Sequence, residues 1–363
     1  MSWQALLKEN ATSADDLKVY MDLTDEEVQK LQEILEQFPM SIPQYYLSLI
    51  DWEDENDPIR KLCIPSIWET NLDGTFDTSG EADNTVVPGL QHKYPKTVLF
   101  LSTNQCAMYC RHCFRKRLVG ISEDEIGRRH FDKIADYIRS HEEISNILIS
   151  GGDSFLNSNS SIEQYLKVLT EIDHLDCIRF GTRTPVSFPM RITMDPDLLN
   201  ILSRYNQKKQ IYVVTHFNHP NEITSQSVKA LEMLQDAGVK LLNQTVLLKG
   251  INDDSQILGS LFKKLISTGV IPYYIFQCRP VSGVKHQFQV PIKEGCHIIE
   301  EAKKLLNGLE KPFRYIMSHE TGKIEILGPI AGREMLFKYH QAKNPDHVGR
   351  LFTKPLDELK SWL

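Results

Sequence analysis

The sequence predicts an α/β fold built on a parallel sheet, and three observations predict it. Six short apolar runs occur from residue 97 onward: Val98-Leu99-Phe100-Leu101, Ile147-Leu148-Ile149, Cys177-Ile178-Arg179-Phe180, Ile211-Tyr212-Val213-Val214, Val239-Lys240-Leu241-Leu242 and Tyr273-Tyr274-Ile275-Phe276. After the first, they recur roughly every 30 residues, about the size of one strand–helix unit. The segments between them carry apolar residues at helical spacing. Strands alternating with helices imply a parallel sheet with right-handed crossovers. Such a sheet is either doubly wound and open or a six-unit (β/α) partial barrel, two units short of the closed eightfold barrel.

Each element has its own local signal. Residues 1–60 read as polar and helical, with Asp25-Glu26-Glu27 ahead of Val28, Leu31, Ile34 and Leu35 at amphipathic spacing. Residues 51–57 are acidic and end at Pro58, which predicts a loop, and residues 70–86 are turn-rich and look irregular. Between the strands, Ile162, Tyr165, Leu166 and Leu169 form one apolar face. Asp195-Pro196 offers an N-cap and a first-turn proline ahead of Leu198, Leu199 and Leu202. Gly238 follows Leu231, Leu234 and Ala237 as a helix stop. Two further strands are expected at 313–316 and 324–327, joined by a turn ending in Gly322-Lys323. The expected division is a helical N-terminal extension over 1–90, an α/β core over 91–300 and a C-terminal segment over 301–363.

Composition narrows the class. The 363 residues include 41 Lys plus Arg and 48 Asp plus Glu, a formal net charge of −7. With 41% hydrophobic and 25% charged residues, the chain has material for a large core. The acidity argues against a general nucleic-acid binder. No stretch approaches the roughly 18 apolar residues of a membrane span, and the start lacks the apolar region of a secretory signal. The expectation is a cytoplasmic protein. Seven cysteines are an odd number, and a disulfide framework is not expected in a reducing compartment.

Three of the cysteines crowd together. Cys106, Cys110 and Cys113 stand at C-x-x-x-C-x-x-C spacing directly after the first strand. Three thiolates in one loop can hold three corners of a four-iron cluster and leave the fourth iron open to a substrate or cofactor. Arg111, Arg115, Lys116 and Arg117 could offset the negative charge. Zinc is the competing reading, but it normally takes four ligands, and no second pair of Cys or His appears at matching spacing.

At these residues the sequence resembles the radical S-adenosylmethionine enzymes, and one branch in particular. Tyr94-Pro95, Thr103-Asn104-Gln105-Cys106, Met108-Tyr109-Cys110-Arg111-His112-Cys113, Ser150-Gly151-Gly152-Asp153, Arg183-Thr184-Pro185-Val186, the segment 215–223, Asn243-Gln244 and Tyr273-Tyr274-Ile275 all resemble lysine 2,3-aminomutases. The resemblance runs from about residue 40 to residue 330. It implies a six-unit partial barrel, a [4Fe-4S] cluster on the three cysteines and S-adenosylmethionine on the open iron. The loop Gly151-Gly152-Asp153 is implied for the methionine end of that cofactor, His112 for the adenine side, and His216 and Gln244 for further contacts. The branch also uses pyridoxal phosphate on a lysine before a late strand, which falls on Lys323. Lys93 and Tyr94 fall near the phosphate and ring. Lys93 and Thr97 stand where the family has arginines.

The substrate end departs from the lysine enzymes. Arg115 matches the residue that holds the substrate α-carboxylate. Arg279 stands where those enzymes place an aspartate for the substrate's side-chain ammonium. An arginine there repels an ammonium and pairs with a carboxylate. The expectation is therefore a radical isomerase, a 2,3-aminomutase acting on an acidic amino acid such as glutamate. A flavodoxin or ferredoxin would serve as electron donor, and the chain would form a homo-oligomer. Cys296 is the last cysteine, so a zinc-linked oligomer is not expected. The alternative is a radical enzyme without pyridoxal phosphate, acting on another small acid or on a protein lysine. A non-enzymatic iron–sulfur or zinc module is disfavoured by the strand-end polar residues.

Overall fold

The computed structural model describes residues 2–120, 126–331 and 333–363. Its frame is one twelve-stranded sheet whose strands lie side by side in chain order. They are β1 (Thr85–Val87), β2 (Leu90–Tyr94), β3 (Thr97–Thr103), β4 (Asn146–Gly151), β5 (Cys177–Gly181), β6 (Gln210–Thr215), β7 (Lys240–Leu247), β8 (Ile271–Gln277), β9 (Arg314–His319), β10 (Gly322–Pro329), β11 (Glu334–Ala342) and β12 (Leu351–Pro355). The six expected strands are β3 to β8, all parallel to one another. A seventh parallel strand, β9, joins β8 with Tyr274 opposite Arg314. Antiparallel strands then extend both edges.

The parallel strands bury alternate residues inward, as Val98 and Phe100 on β3 and Ile147 and Ile149 on β4 show. Helices cover this face, where Phe100 packs against Phe131 and Tyr165. Helix 159–169 starts where the Ser158 side chain accepts from the Ser161 N–H, and it buries Ile162, Tyr165, Leu166 and Leu169. Helix 196–206 starts at Asp195, which accepts from the Leu198 N–H, with Pro196 in the first turn. Both match the expectation. The late turn is tighter than expected. Gly322 already pairs with His319, so Lys323 is the second residue of β10 and not part of the turn. No helix among the described residues is long and apolar enough to cross a membrane.

The N-terminal helices pack onto the cysteine loop. Asn10 Nδ2 donates to the Ala107 carbonyl at 2.8 Å, the Tyr109 N–H to the Ser41 carbonyl at 3.1 Å, and the Arg111 N–H to the Leu62 carbonyl at 3.0 Å. The Arg111 guanidinium donates to the carbonyls of Pro39 and Phe38 and, through Nε, to Glu69 Oε1 at 2.8 Å. Lys116 also donates to Glu69. Glu69 is fully buried, so one carboxylate neutralises two buried cations beside the loop. Removing it leaves both unpaired in a dry site. Glu69→Ala is expected to destabilise the fold by about 3–5 kcal/mol, read as a lowered denaturant midpoint.

Candidate active site

The cysteine loop leaves the carboxyl end of β3 and turns back through Cys106, Cys110 and Cys113. All three are free thiols of intermediate exposure. Burial pushes each above its ordinary value, and neighbouring cysteines push Cys106 and Cys113 further up, Cys113 to about 11. The three sulfurs are therefore within electrostatic reach of one another. Yet no three His, Cys, Asp or Glu side chains among the described residues converge as ligands of a single ion would. A four-iron cluster takes each thiolate on a different iron rather than on one shared ion.

The next loop fits under the first. Gly151 has φ +118°, and a Cβ there would stand 2.1 Å from the Thr103 carbonyl oxygen. A Cβ on Gly152 would stand 2.3 Å from the Gln105 carbonyl oxygen. The Gly152 N–H donates to Thr103 (2.6 Å) and the Asp153 N–H to Gln105 (2.8 Å). The two glycines thus let this backbone lie against the cysteine loop itself. Asp153 was expected, with this loop, at the methionine end of the cofactor, but its carboxylate turns into the protein. Its Oδ1 accepts from the Thr182 hydroxyl (2.5 Å) and the Phe155 N–H (3.0 Å), and its Oδ2 from the Arg183 N–H (2.7 Å).

His112 and His216 lie near each other, ring centroids 6.3 Å apart and nearly parallel at 24°. Burial, then the Arg183 cation, holds both imidazoles below their ordinary value, His216 at about 3. Both are neutral near pH 7, able to donate at one nitrogen and accept at the other. His112 Nδ1 is buried without a hydrogen-bond partner, and so is Asn104 Nδ2 nearby in the chain. Orphaned polar atoms at a loop end suit a polar ligand such as an adenine. Gln244 lies on β7 one strand further on, half-buried.

Lys323 lies on β10 among aromatic side chains. Its ammonium lies 4.7 Å from the Tyr274 ring centroid and 5.9 Å from those of Tyr94 and Phe276. No carboxylate pairs with it among the described residues. Burial, then the cations of Arg179, Arg279 and Lys93, lowers it to about 7. A substantial fraction of amine is therefore present at neutral pH, which imine formation needs. The Tyr274 hydroxyl is fixed by Tyr273 (3.0 Å) and His340 Nε2 (2.8 Å). Lys93 donates to the carbonyls of Ser79 (3.1 Å) and His319 (2.6 Å), and burial with Arg279 and Lys343 lowers it to about 8. These cations, with an unpaired amine, suit a phosphate-bearing aldehyde.

Two guanidiniums share one ring. Arg115 lies 4.6 Å and Arg279 4.1 Å from the Phe114 centroid. Arg115 is held by Nε to Glu81 Oε1 at 2.9 Å, and its two terminal nitrogens meet no acceptor among the described residues. Among the described residues Arg279 donates only to hydroxyls, Ser318 at 3.0 Å and Thr78 at 3.5 Å. Burial lowers Arg279 to about 10, the Glu81 charge opposes this, and Arg115 adds to it. Both arginines keep charge and donors for a ligand. Sequence reasoning missed Glu81, Ser318, Phe114 and Phe276. Glu81 lay in a segment that read as irregular, and only its reach to Arg115 gives it a part here.

Comparison with known proteins gives the family of the chain. Residues 100–258 match the model of the Radical SAM superfamily. The chain is 43% identical over 300 residues to the L-lysine 2,3-aminomutase of Clostridium subterminale, covering 82% of this chain and 71% of that protein. It is 40% identical over 321 residues to the glutamate 2,3-aminomutase of Clostridioides difficile, covering 88% and 74%. A solved radical SAM methyltransferase from Sphaerobacter thermophilus aligns at a TM-score of 0.44 and 14% identity, over 62% of this chain and 68% of that one. With such identity over most of both chains, the protein belongs to the lysine 2,3-aminomutase family of radical SAM isomerases.

Proposed function

We propose that the chain is a pyridoxal-phosphate-dependent 2,3-aminomutase acting on an amino acid with an acidic side chain, glutamate being the leading candidate. When bound, the cluster and S-adenosylmethionine would supply a hydrogen-abstracting radical, and pyridoxal phosphate would supply the aldehyde that holds the migrating amino group. The residues of this chain bind and orient. Cys106, Cys110 and Cys113 are the proposed iron ligands. His112, His216, Gln244 and the backbone of Gly151 and Gly152 are assigned to S-adenosylmethionine. Lys323 is the proposed imine-forming lysine, with Tyr94 flanking it and Lys93 on the phosphate side. Arg115 takes the α-carboxylate and Arg279 the side-chain carboxylate.

One observation carries this reading. Among the described residues Lys323 has no counterion and lies within the field of Arg279, whose donors meet only hydroxyls. A lysine substrate would bring a further ammonium into this set of cations, whereas a dicarboxylate would neutralise it. The wider reading follows the expectations above. A low-potential donor such as flavodoxin or ferredoxin delivers the electron. The protein works in the cytoplasm as a homo-oligomer, a state that the exposed Leu327, Ile330, Val348 and Leu351 near the C-terminal sheet edge would suit. Residues 91–300 form the catalytic core between the two terminal segments.

Steady-state kinetics on glutamate and lysine test the substrate. Glutamate is expected to be preferred. Arg279→Gln is expected to lower kcat/KM on glutamate by about 100-fold, mostly through KM. Efficient turnover of lysine without turnover of glutamate would contradict the proposal.

A further inference from the structure

Arg183 follows β5 by two residues, and its side chain is among the most fully constrained near the cysteine loop. Asp153 Oδ2 accepts its backbone N–H at 2.7 Å. Its guanidinium donates from Nε to the His216 carbonyl (3.2 Å), and from Nη2 to Glu222 Oε1 (2.5 Å) and the Tyr46 hydroxyl (3.2 Å). Nη1 donates to Cys110 Sγ at 2.7 Å. Glu222 is itself fully buried and held by the Tyr46 hydroxyl (2.6 Å) and the N–H groups of Asn218 (2.6 Å) and His219 (3.0 Å). Of the three loop cysteines, Cys110 alone accepts a hydrogen bond from a side chain among the described residues.

A buried arginine could satisfy its charge on Glu222 alone, through a two-point fork. Here the fork is divided, and one terminal nitrogen is aimed at sulfur. A thiol is a weak acceptor, but a thiolate on iron carries charge and accepts well. Hydrogen bonds to cluster sulfurs and nearby cations stabilise the more negative, reduced state and so raise the reduction potential. We infer that Arg183 is a positioning residue for the cluster: anchored by Asp153, Glu222 and Tyr46, it donates to the Cys110 sulfur and makes the cluster easier to reduce. The step is a one-electron reduction by the low-potential donor, and no bond or proton changes at Arg183. The inference rests on the reading that Cys110 is an iron ligand.

The test uses wild type, Arg183→Lys and Arg183→Met, reconstituted anaerobically without S-adenosylmethionine. Iron is counted, and the paramagnetic signal of the reduced cluster is followed against applied potential. The midpoint is expected to move negative in Arg183→Met and less so in Arg183→Lys, which keeps the charge but loses the planar fork. A purely structural ion pair would leave the midpoint of a loaded variant unmoved, and an unmoved midpoint overturns the inference. If Arg183→Met does not retain iron, Arg183→Lys decides by the same criterion. If wild type binds no iron, the cluster assignment fails and this inference falls with it. If wild type loads and the variants share its midpoint, this inference alone fails.

Discussion

Lys323→Ala is expected to lower turnover by at least about 1000-fold and to abolish the visible band of protein-bound pyridoxal phosphate. Borohydride should fix the cofactor to the wild-type chain and not to the variant. The reason lies in the environment of the amine. Three aromatic rings surround it and no carboxylate among the described residues pairs with it, so burial brings its value down to about 7 and a substantial neutral fraction is present at neutral pH. The same environment makes a stability prediction for the cofactor-free protein. The folded value of about 7 lies below the ordinary 10.5, so between these the unfolded chain binds the extra proton. Stability therefore rises with pH across that window. Replacing Lys323 with Met should stabilise the apo fold by about 2–4 kcal/mol at pH 7. That gain should shrink as pH approaches 10.5. Denaturant melts across this range check it.

Each of Cys106→Ala, Cys110→Ala and Cys113→Ala is expected to lower activity below detection, more than about 10⁴-fold, with loss of cluster iron. The fold should persist, because the loop is held by groups other than sulfur. Asn10 and Ser41 hold the Ala107–Tyr109 backbone, and Glu69 holds Arg111 and Lys116. Cys278→Ala should behave differently. Its thiol is 2% exposed and burial pushes it up to about 12, which makes it a packing residue beside Arg279. It should keep its iron and lose only about 1 kcal/mol of stability. Iron analysis and thermal melts on the four variants separate the two classes.

What could be read from the sequence was what lies close together along it. The cysteine loop, the Gly151-Gly152-Asp153 turn and Lys323 carry their signals within a few residues of chain. The apolar strands β3 to β8 repeat because each needs a covering helix. Strands β1, β2, β11 and β12 were not expected. They are edge or near-edge strands with polar faces, as in His92-Lys93 and Lys338 to Gln341, so they lack the apolar run of a buried strand. Strand β9 was expected as tail, but pairing with β8 makes it a seventh parallel strand. The partners of the charged side chains were illegible for another reason. Glu81 meets Arg115 across 34 residues, Ser318 meets Arg279 across 39, and Tyr46 meets Arg183 across 137. Only the closed fold brings these together. The Asp153 carboxylate shows the same limit. Its residue type fitted a ligand contact, whereas its three donors make it a brace between strand ends.

The most direct measurement is product analysis on the anaerobically reconstituted protein, given S-adenosylmethionine, pyridoxal phosphate, a one-electron reductant and glutamate labelled with ¹⁵N. The predicted result is the ¹⁵N appearing on carbon 3 by NMR, lost when either cofactor is omitted and lost in Lys323→Ala. The contradicting result is a chain that carries its cluster and cleaves S-adenosylmethionine, yet leaves the amino group of glutamate and of lysine on carbon 2 whether or not pyridoxal phosphate is present.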